Sequence, residues 1–263
     1  NINQVHGSVD SAATAAYNKL TSAPYNWTIV DLGGVPVGNL LLDTSYGSGA
    51  EAAYSVRKLR TAYTGPAMKV QDTVGGATQD IYFDANDNLD EAAIISYGGS
   101  NDVFVATWYD QSVNGNDATQ GTSASRPKIY DGTTGALVKE NGKVALDFDG
   151  SNDVLLAASS VLSSESYLIE TVATLDSSTQ EGVLYNFNTG TANESVQLGF
   201  NRYLNNEVLY RDDYGGNERK SGTTNNTRLL YSVEQNILRL DGNAQTSTAV
   251  GRLNSNNEIG NTS

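Results

Sequence analysis

One stretch of the chain combines aromatic, acidic and amide side chains in a pattern that could bind a sugar. The candidate ligands are Trp108, Tyr109, Asp110, Gln111, Asn114 and Asn116. Carboxylate and amide groups can hydrogen-bond sugar hydroxyls while an aromatic face stacks on the ring. The same residues also suit a structural role, because Asp, Asn and Gly close turns through side-chain bonds to the backbone. We favour the structural role, with Trp108 and Tyr109 alternating between core and surface.

A second polar stretch, residues 84–90, carries oxygen-bearing side chains at alternate positions and suggests calcium. It departs from the EF-hand pattern, because Leu89 stands where that loop needs Gly and Ile95 where it needs Glu. The sequence therefore predicts a turn that leads into a helix capped by Asp90. We predict no metal site and no cofactor.

Composition excludes several classes of function. The chain has 16 Lys and Arg against 30 Asp and Glu, a net charge of −14, so we expect no nucleic-acid partner. It has no Cys and one histidine, His6, which excludes thiolate zinc sites and cysteine nucleophiles and disfavours histidine-based catalysis. No apolar run is long enough to span a bilayer, so we expect no membrane partner.

Hydrophobic spacing predicts an all-β protein with two short helices. The helices are predicted at 50–63, ended by Gly65-Pro66, and at 90–97, ended by Gly98-Gly99. Alternating residues and turn signals predict strands at 67–71, 79–83, 103–109, 144–148, 167–175, 183–187, 196–200, 208–210, 229–233 and 237–240. No helical stretch separates the strands after Val144, which favours a two-sheet antiparallel β-sandwich over a parallel α/β fold.

Three blocks of sequence resemble a known family. They are A-Y-S-V-R-K-L-R-T-A-Y-T-G-P-A-M-K-V at 53–70, Q-D-I-Y-F-D at 79–84 and W-Y-D-Q-S-V-N-G-N-D-A-T-Q at 108–120. Together they resemble the catalytic domain of α-L-arabinofuranosidase B, glycoside hydrolase family 54, a concanavalin A-like jelly roll. These blocks, with L-D-F-D-G-S-N-D at 146–153, are also similar to lectin-like or laminin-G-like domains of phage and marine bacterial structural proteins. Val113 stands where the family usually has Gly.

The resemblance implies a catalytic site that is incomplete. Retaining glycosidases need two carboxyl groups, one as nucleophile and one as acid/base. A loose alignment sets Asp212 on the family's substrate-binding Asp, Asp213 or Tyr214 on its nucleophile, and Leu253 on its acid. Because Leu253 cannot protonate a leaving group, Asp212 and Asp213 remain only degenerate catalytic candidates, and we predict no hydrolysis of arabinofuranosides. Asp212 and Tyr214 join the candidate sugar ligands.

These observations predict an N-terminal extension, 1–48, followed by a jelly roll over 49–263. Two explanations stay open for strands that the family would add after Ser263: an incomplete domain, or a strand from another chain. The predicted function is a non-enzymatic phage virion surface protein, a fibre, tail or capsid-decoration component that binds glycans. We expect the extension to serve assembly with other virion proteins or with further copies, and a cell-surface glycan to be a ligand. The alternatives are a secreted arabinofuranosidase-like hydrolase and a secreted bacterial adhesion module.

Overall fold

The computed structural model describes residues 40–157, 167–174, 182–188, 195–200, 207–212, 217–222, 229–234, 237–241, 243–244 and 247–248. The first part of the chain contains β1 Met68–Asp72, β2 Gln79–Ile81, helix α1 Glu91–Gly98, β3 Val103–Trp108, β4 Ala118–Thr119, β5 Lys128–Asp131, β6 Ala136–Leu137, β7 Lys139–Glu140 and β8 Lys143–Val144. Short 3₁₀ helices cover Leu41–Asp43, Ser45–Ser48 and Ser123–Ser125.

The second part contains strands alone among its described residues. They are β9 Leu168–Ala173, β10 Gly182–Asn188, β11 Ser195–Phe200, β12 Glu207–Asp212, β13 Asn217–Gly222, β14 Leu229–Glu234, β15 Ile237–Leu240, β16 Asn243–Ala244 and β17 Ser247–Thr248. The pairings of the named strands are all antiparallel. The predicted all-β antiparallel fold is confirmed.

The strands form three larger sheets and one small hairpin. The first sheet has the order β2-β1-β3-β5-β6, with β4 paired to β3. The second has the order β10-β11-β12-β13-β17, the third β16-β15-β14-β9, and β7 pairs with β8 alone. The sequence predicted two sheets; the first sheet is additional to the pair that forms the sandwich.

The first sheet buries one of its faces against helix α1. Val70, Val105 and Ile129 are fully buried on β1, β3 and β5, and Ile94 of the helix packs in the same cluster. Lys69, Gln71 and Phe104, which alternate with these residues, are only half-buried, as alternation across a pleated sheet requires, whereas Ala106 and Tyr130 depart from the alternation and are also buried. The opposite face of this sheet is therefore the more polar one.

The second and third sheets meet through a smaller apolar cluster. Tyr185 and Leu198 come from β10 and β11, whereas Tyr231 and Val233 come from β14. All four side chains are buried. Packing of two antiparallel sheets through such inward residues is the arrangement of a β-sandwich.

Helix α1 lies where the sequence predicts it. The Asp90 carboxylate accepts a hydrogen bond of 3.0 Å from the Ala93 amide, and the helix ends at Gly99, whose φ is +57°. Upstream, Asp84 Oδ1 accepts the amides of Asn86 and Asn88, which closes the predicted turn. Among the described residues no helix has the length and apolar character that crossing a bilayer requires.

The helix predicted at 50–63 is wrong: this segment is an extended strap with no helical turn. Apart from one turn, in which Tyr63 N donates to Arg60 O at 3.1 Å, its backbone bonds to distant parts of the chain. Lys58 N donates to Asp87 O at 2.8 Å, and Val56 O accepts from Leu89 N at 3.0 Å. The helical spacing of its apolar residues was therefore outweighed by tertiary hydrogen bonds.

The strand predicted at 144–148 is wrong in extent, because β8 ends at Val144. Beyond it, Asp147 makes one isolated bridge to Lys128. The missed β7–β8 hairpin turns through Asn141 and Gly142, which have φ of +50° and +72°. An Asn-Gly pair is the strongest local signal for such a turn, so the sequence did contain the information.

The described end of the predicted extension, residues 40–48, contacts the strap of its own chain. Leu42 is buried, and its amide donates to Leu59 O at 2.8 Å. The Asp43 carboxylate accepts from the Thr61 amide and hydroxyl, at 3.1 and 2.5 Å. Residues 1–39 lie outside the described part, and the assembly role of the extension stays a prediction.

Candidate functional site

The pairing of β2, β1, β3 and β4 places side chains from four strands in rows. One row faces the core: Ile81, Met68, Trp108 and Ala118 stand directly opposite one another. The adjacent row faces the other way and contains Asp80, Lys69, Thr107 and Thr119. Residues directly opposite in antiparallel strands share a face of the sheet, so these four form a continuous polar row.

Tyr109 lies beside the polar row, because it follows Thr107 by two residues. Its hydroxyl donates to Asp80 Oδ1 at 2.9 Å, and Lys69 Nζ lies 4.0 Å from the same oxygen. Burial raises the pKa of Tyr109, and the hydrogen bond to Asp80 and the charges of Asp80 and Asp117 raise it further. The phenol therefore stays a neutral hydrogen-bond donor at physiological pH.

Two more tyrosines lie close to this end of the row. Tyr82 directly follows β2, two residues after Asp80, and is 51% exposed. Tyr63 comes from the strap; its hydroxyl donates to Pro66 O at 2.8 Å, and its ring contacts Phe83 edge-on, with centroids 6.3 Å apart. Burial, with the charges of Asp117 and Asp110, raises the pKa of Tyr63 to about 12.

Trp108 lies on the other side of the sheet from Tyr109. It packs against the core of the first sheet, and its ring centroid is 5.8 Å from that of Tyr54. Its Nε1 is buried and has no hydrogen-bond partner among the described residues. Trp108 and Tyr109 therefore alternate between core and surface, as the sequence predicts. Of the two, Tyr109 lies beside the polar row.

The carboxylate of Asp110, only 4% exposed, binds the backbone on both sides of it. Its Oδ1 accepts from the amides of Ala53 and Ser112, each at 2.8 Å. Its Oδ2 accepts from Ser112 Oγ at 2.6 Å and from the Asn116 amide at 3.0 Å. One carboxylate thus joins the strap to the loop that follows β3.

Gln111, which is fully buried, extends this connection along the strap. Its Oε1 accepts from Leu59 N at 2.7 Å, and its Nε2 donates to the carbonyls of Ser55 and Arg57 at 3.2 and 3.1 Å. Three further side chains of the loop donate to Glu51 O: Ser112 at 3.1 Å, Asn114 at 3.1 Å and Asn116 at 2.7 Å. We call Asp110, Gln111, Ser112, Asn114 and Asn116 the strap anchor.

The strap anchor matches the structural role that the sequence favoured for this loop. Most of its hydrogen-bonding groups contact backbone, so few are left for a ligand. Sugar binding by Asp110, Gln111, Asn114 and Asn116 remains a prediction that the geometry does not favour. Of the six sugar ligands predicted around this loop, Tyr109 is the one that lies beside the polar row.

The remaining predicted site residues are only partly described. Asp212 is the last residue of β12, where it pairs with Val196 and with Asn217, and its side chain is outside the description. Asp213, Tyr214 and Leu253 lie outside the described residues altogether. The catalytic and sugar-binding roles of these residues stay predictions.

Val113, in the same loop, has a backbone conformation that favours Gly. Its φ is +89°, and its side chain is 70% exposed. A β-branched residue is strained at positive φ, by about 1–3 kcal/mol, whereas Gly is not. Val113→Gly is therefore expected to raise the free energy of unfolding by about 1 kcal/mol, after allowing for the greater unfolded-state entropy of Gly. Urea denaturation of both proteins measures the difference.

Val74→Gly is the matched control, because Val74 is also an exposed loop valine but has no positive φ. Val74→Gly relieves no backbone strain and only increases the conformational entropy of the unfolded chain. It should therefore lower the free energy of unfolding by a few tenths of a kcal/mol up to about 1 kcal/mol. Equal effects of the two substitutions would mean that Val113 carries no backbone strain.

The polar row was not predicted from the sequence. Lys69, Asp80, Thr107 and Thr119 lie in separate strands, and each is an ordinary outward residue of an alternating pattern. Only the register of β2, β1, β3 and β4 aligns them. The Q-D-I-Y-F-D and W-Y-D-Q motifs contain Asp80 and Tyr109, which is the one local signal that could have connected them.

No protein-family model matches the chain, and no curated protein sequence matches it significantly. Solved structures with a similar fold include a family 54 α-L-arabinofuranosidase soaked with a cyclic sulfate inhibitor: 18% identity, TM-score 0.48, covering 82% of this chain and 58% of that one. A mutant of a family 54 α-L-arabinofuranosidase soaked with 4-nitrophenyl α-L-arabinofuranoside matches with the same identity, TM-score and coverage of both chains. An arabinofuranosidase complexed with arabinofuranosyl-α-1,2-xylobiose matches with 17% identity and TM-score 0.47, over 80% of this chain and 57% of that one.

All three structures are arabinofuranosidases, the family that the motifs resemble. None of the three is a phage lectin-like domain, so that part of the resemblance gains no support from them. The chain spans less than three fifths of each arabinofuranosidase chain. At this level of identity and superposition the likeness concerns the fold and carries no conclusion about activity.

Proposed function

We propose that this protein binds carbohydrate on the face of the first sheet that carries the polar row. The observation that supports the proposal is the group formed by Tyr109, Asp80 and Lys69, in which an aromatic ring, a carboxylate and an ammonium group lie together on a partly exposed sheet face. Sugar sites combine such a ring for stacking with a few fixed polar groups for the hydroxyls.

Hydrolysis is the second candidate function. The Asp80 carboxylate accepts from the Tyr109 hydroxyl at 2.9 Å, and the Asp117 carboxylate accepts from the amide of Asp110, the residue after Tyr109, at 2.9 Å, so two carboxyl groups lie near one tyrosine. Glycosidases need two such groups, at separations that set the stereochemical outcome. The predicted site at Asp212 and Asp213 lacks an acid, and no hydrolysis by that pair is expected. The sequence resemblance also suggests a location: display on a virion, with other virion proteins or further copies of this chain as partners. The alternative location that it suggests is secretion.

Removing the ring of Tyr109 is expected to weaken binding strongly. Isothermal titration of the full chain with arabinan, xylan and cellulose oligosaccharides should detect binding to at least one of these. Tyr109→Ala should then weaken it by at least about tenfold, because stacking and the hydroxyl are both lost. Tyr109→Phe keeps the ring and loses only the bond to Asp80, so a smaller loss, of about threefold, is expected.

Tyr97→Phe is the matched control, since the Tyr97 hydroxyl also makes hydrogen bonds, to Ala77 O and from Asp72 N, but away from the polar row. Its binding should equal that of the unmodified protein. Incubation with 4-nitrophenyl α-L-arabinofuranoside separates the two candidate functions: release of nitrophenol that Asp80→Asn abolishes would establish hydrolysis. If no oligosaccharide binds and no nitrophenol is released, both candidates are wrong.

A further inference from the structure

The polar row has a length and a direction, and these restrict the ligand. Its members occupy β2, β1, β3 and β4 in turn, so the row runs across the strands. An isolated bridge from Thr119 to Leu156 continues it by one more step. The row thus contains four steps from one strand or bridge to the next, up to Leu156. Neighbouring strands are about 4.8 Å apart, so the row spans about 19 Å, the length of roughly four linked sugar rings.

The row also has free hydrogen-bonding groups at its far end. Thr119 is exposed and Thr107 half-buried, and within the described part of the chain neither hydroxyl makes a hydrogen bond. The next row on the same face is different. There Gln71 accepts from Arg126 and donates to Gly76 O, and Lys128 pairs with Asp102 at 2.7 Å. The second row is thus already paired within the protein.

Charge favours a neutral ligand. Along the polar row the single ammonium of Lys69 lies 4.0 Å from the single carboxylate of Asp80, and the other two members are hydroxyls. The row is therefore neutral in sum. The whole chain carries a net charge of −14, which would repel an acidic polysaccharide.

We infer that the polar row binds a linear, neutral oligosaccharide of roughly four sugar rings that lies across the strands, with one end against Tyr109 and the other beyond Thr119. The inference rests on the proposed carbohydrate binding and adds the size, the charge class and the direction of the ligand. Each strand then presents one side chain to about one sugar ring. Tyr82 and Tyr109 mark the stacking end, whereas Thr107 and Thr119 supply hydroxyls to the following rings.

The test is the dependence of affinity on chain length. Isothermal titration with xylan, cellulose and arabinan oligosaccharides, from mono- to hexasaccharide, should show affinity rising by at least about tenfold from the disaccharide to the tetrasaccharide and then levelling off. Thr119→Val should weaken the tetrasaccharide by about three- to tenfold and leave the disaccharide unchanged, since it removes one hydroxyl and keeps the β-branched shape.

Thr133→Val, in the exposed turn between β5 and β6, is the control and should change neither affinity. Equal affinity for mono- and hexasaccharide would overturn the inference and leave the proposed carbohydrate binding intact. Tighter binding of a uronic acid oligosaccharide than of its neutral counterpart would also overturn it. Binding to none of the oligosaccharides would overturn both.

Discussion

Asp110→Ala is expected to lower the free energy of unfolding by about 4 kcal/mol, because it removes the acceptor for four buried donors at once. Those donors are the amides of Ala53, Ser112 and Asn116 and the hydroxyl of Ser112. Each buried donor left without a partner costs about 1–3 kcal/mol, and partial relaxation keeps the sum below the simple total. Urea denaturation followed by tryptophan fluorescence measures the loss. Asp110→Asn, which keeps one acceptor oxygen, should lose about half as much.

Asp131→Ala is the control for this comparison. Its carboxylate also accepts two backbone amides, those of Thr133 and Thr134, but in an exposed turn. Water can replace the lost acceptor there, so a loss below about 1 kcal/mol is expected. If Asp110→Ala cost no more than this control, Asp110 would not be the centre of the strap anchor.

Trypsin provides a local measurement for the same variant. The strap carries Arg57, Lys58 and Arg60, and the anchor holds it through Ala53 and Leu59. Release of the anchor should make cleavage at these basic residues at least about tenfold faster under native conditions. Asp110→Asn allows the same measurement should the alanine variant not fold.

The second large effect is expected at Asp153, whose carboxyl group is 6% exposed. Burial raises its pKa to about 6, and the charges of Asp149 and Asp147 add to the shift. A group whose folded pKa lies above its unfolded value favours the folded state at low pH, and this contribution is lost as pH rises through the folded pKa. Between about pH 4 and pH 7.5 the loss is about 2 kcal/mol.

Asp153→Asn should therefore be more stable than the unmodified protein by about 2–3 kcal/mol at pH 7.5, and by less than about 1 kcal/mol at pH 4. The amide oxygen can still accept from the Asp149 amide, as Asp153 Oδ2 does at 3.0 Å. The difference between the two proteins, measured by urea denaturation from pH 4 to pH 8, isolates this residue. The unmodified protein alone would not, because the lowered pKa values of Asp43 and Asp102 act in the opposite direction.

Asp84→Asn is the control, since Asp84 is an exposed turn residue whose carboxylate also accepts two backbone amides, those of Asn86 and Asn88, and it is not among the groups that shift the pKa of Asp153. A difference between Asp153→Asn and the unmodified protein that stays constant from pH 4 to pH 8 would show that the Asp153 carboxyl group is not perturbed by burial.

Local sequence determined helix α1 and those strands in which buried and half-buried residues alternate. Val103 and Val105 alternate with Phe104, and this pattern fixes both the extended conformation and the side of the sheet that is buried. Asp90 and Gly99 define helix α1, because a carboxylate satisfies its first amides and a residue with positive φ ends it. Such signals act between residues close in sequence, so they can be predicted without the fold.

The strap shows where local signals fail. Its apolar spacing predicts a helix, but Ala53, Leu59 and their neighbours bond to Asp110 and Gln111, more than fifty residues later in the chain. A helix would have to satisfy those backbone groups internally, and a short isolated helix is only marginally stable. Tertiary hydrogen bonds in a buried site are the stronger alternative.

The candidate site also depends on contacts between residues that are distant in sequence. Asp80 and Tyr109 are twenty-nine residues apart in sequence, and their hydrogen bond exists because β1 pairs with both β2 and β3. A shift of one residue in either pairing would turn the other side chains of that strand toward the face that carries the polar row. The sequence alone determined which residues are polar and outward-facing. The register of four strands, set by the burial of Met68, Ile81 and Trp108 on the other face, decided which of them stand together.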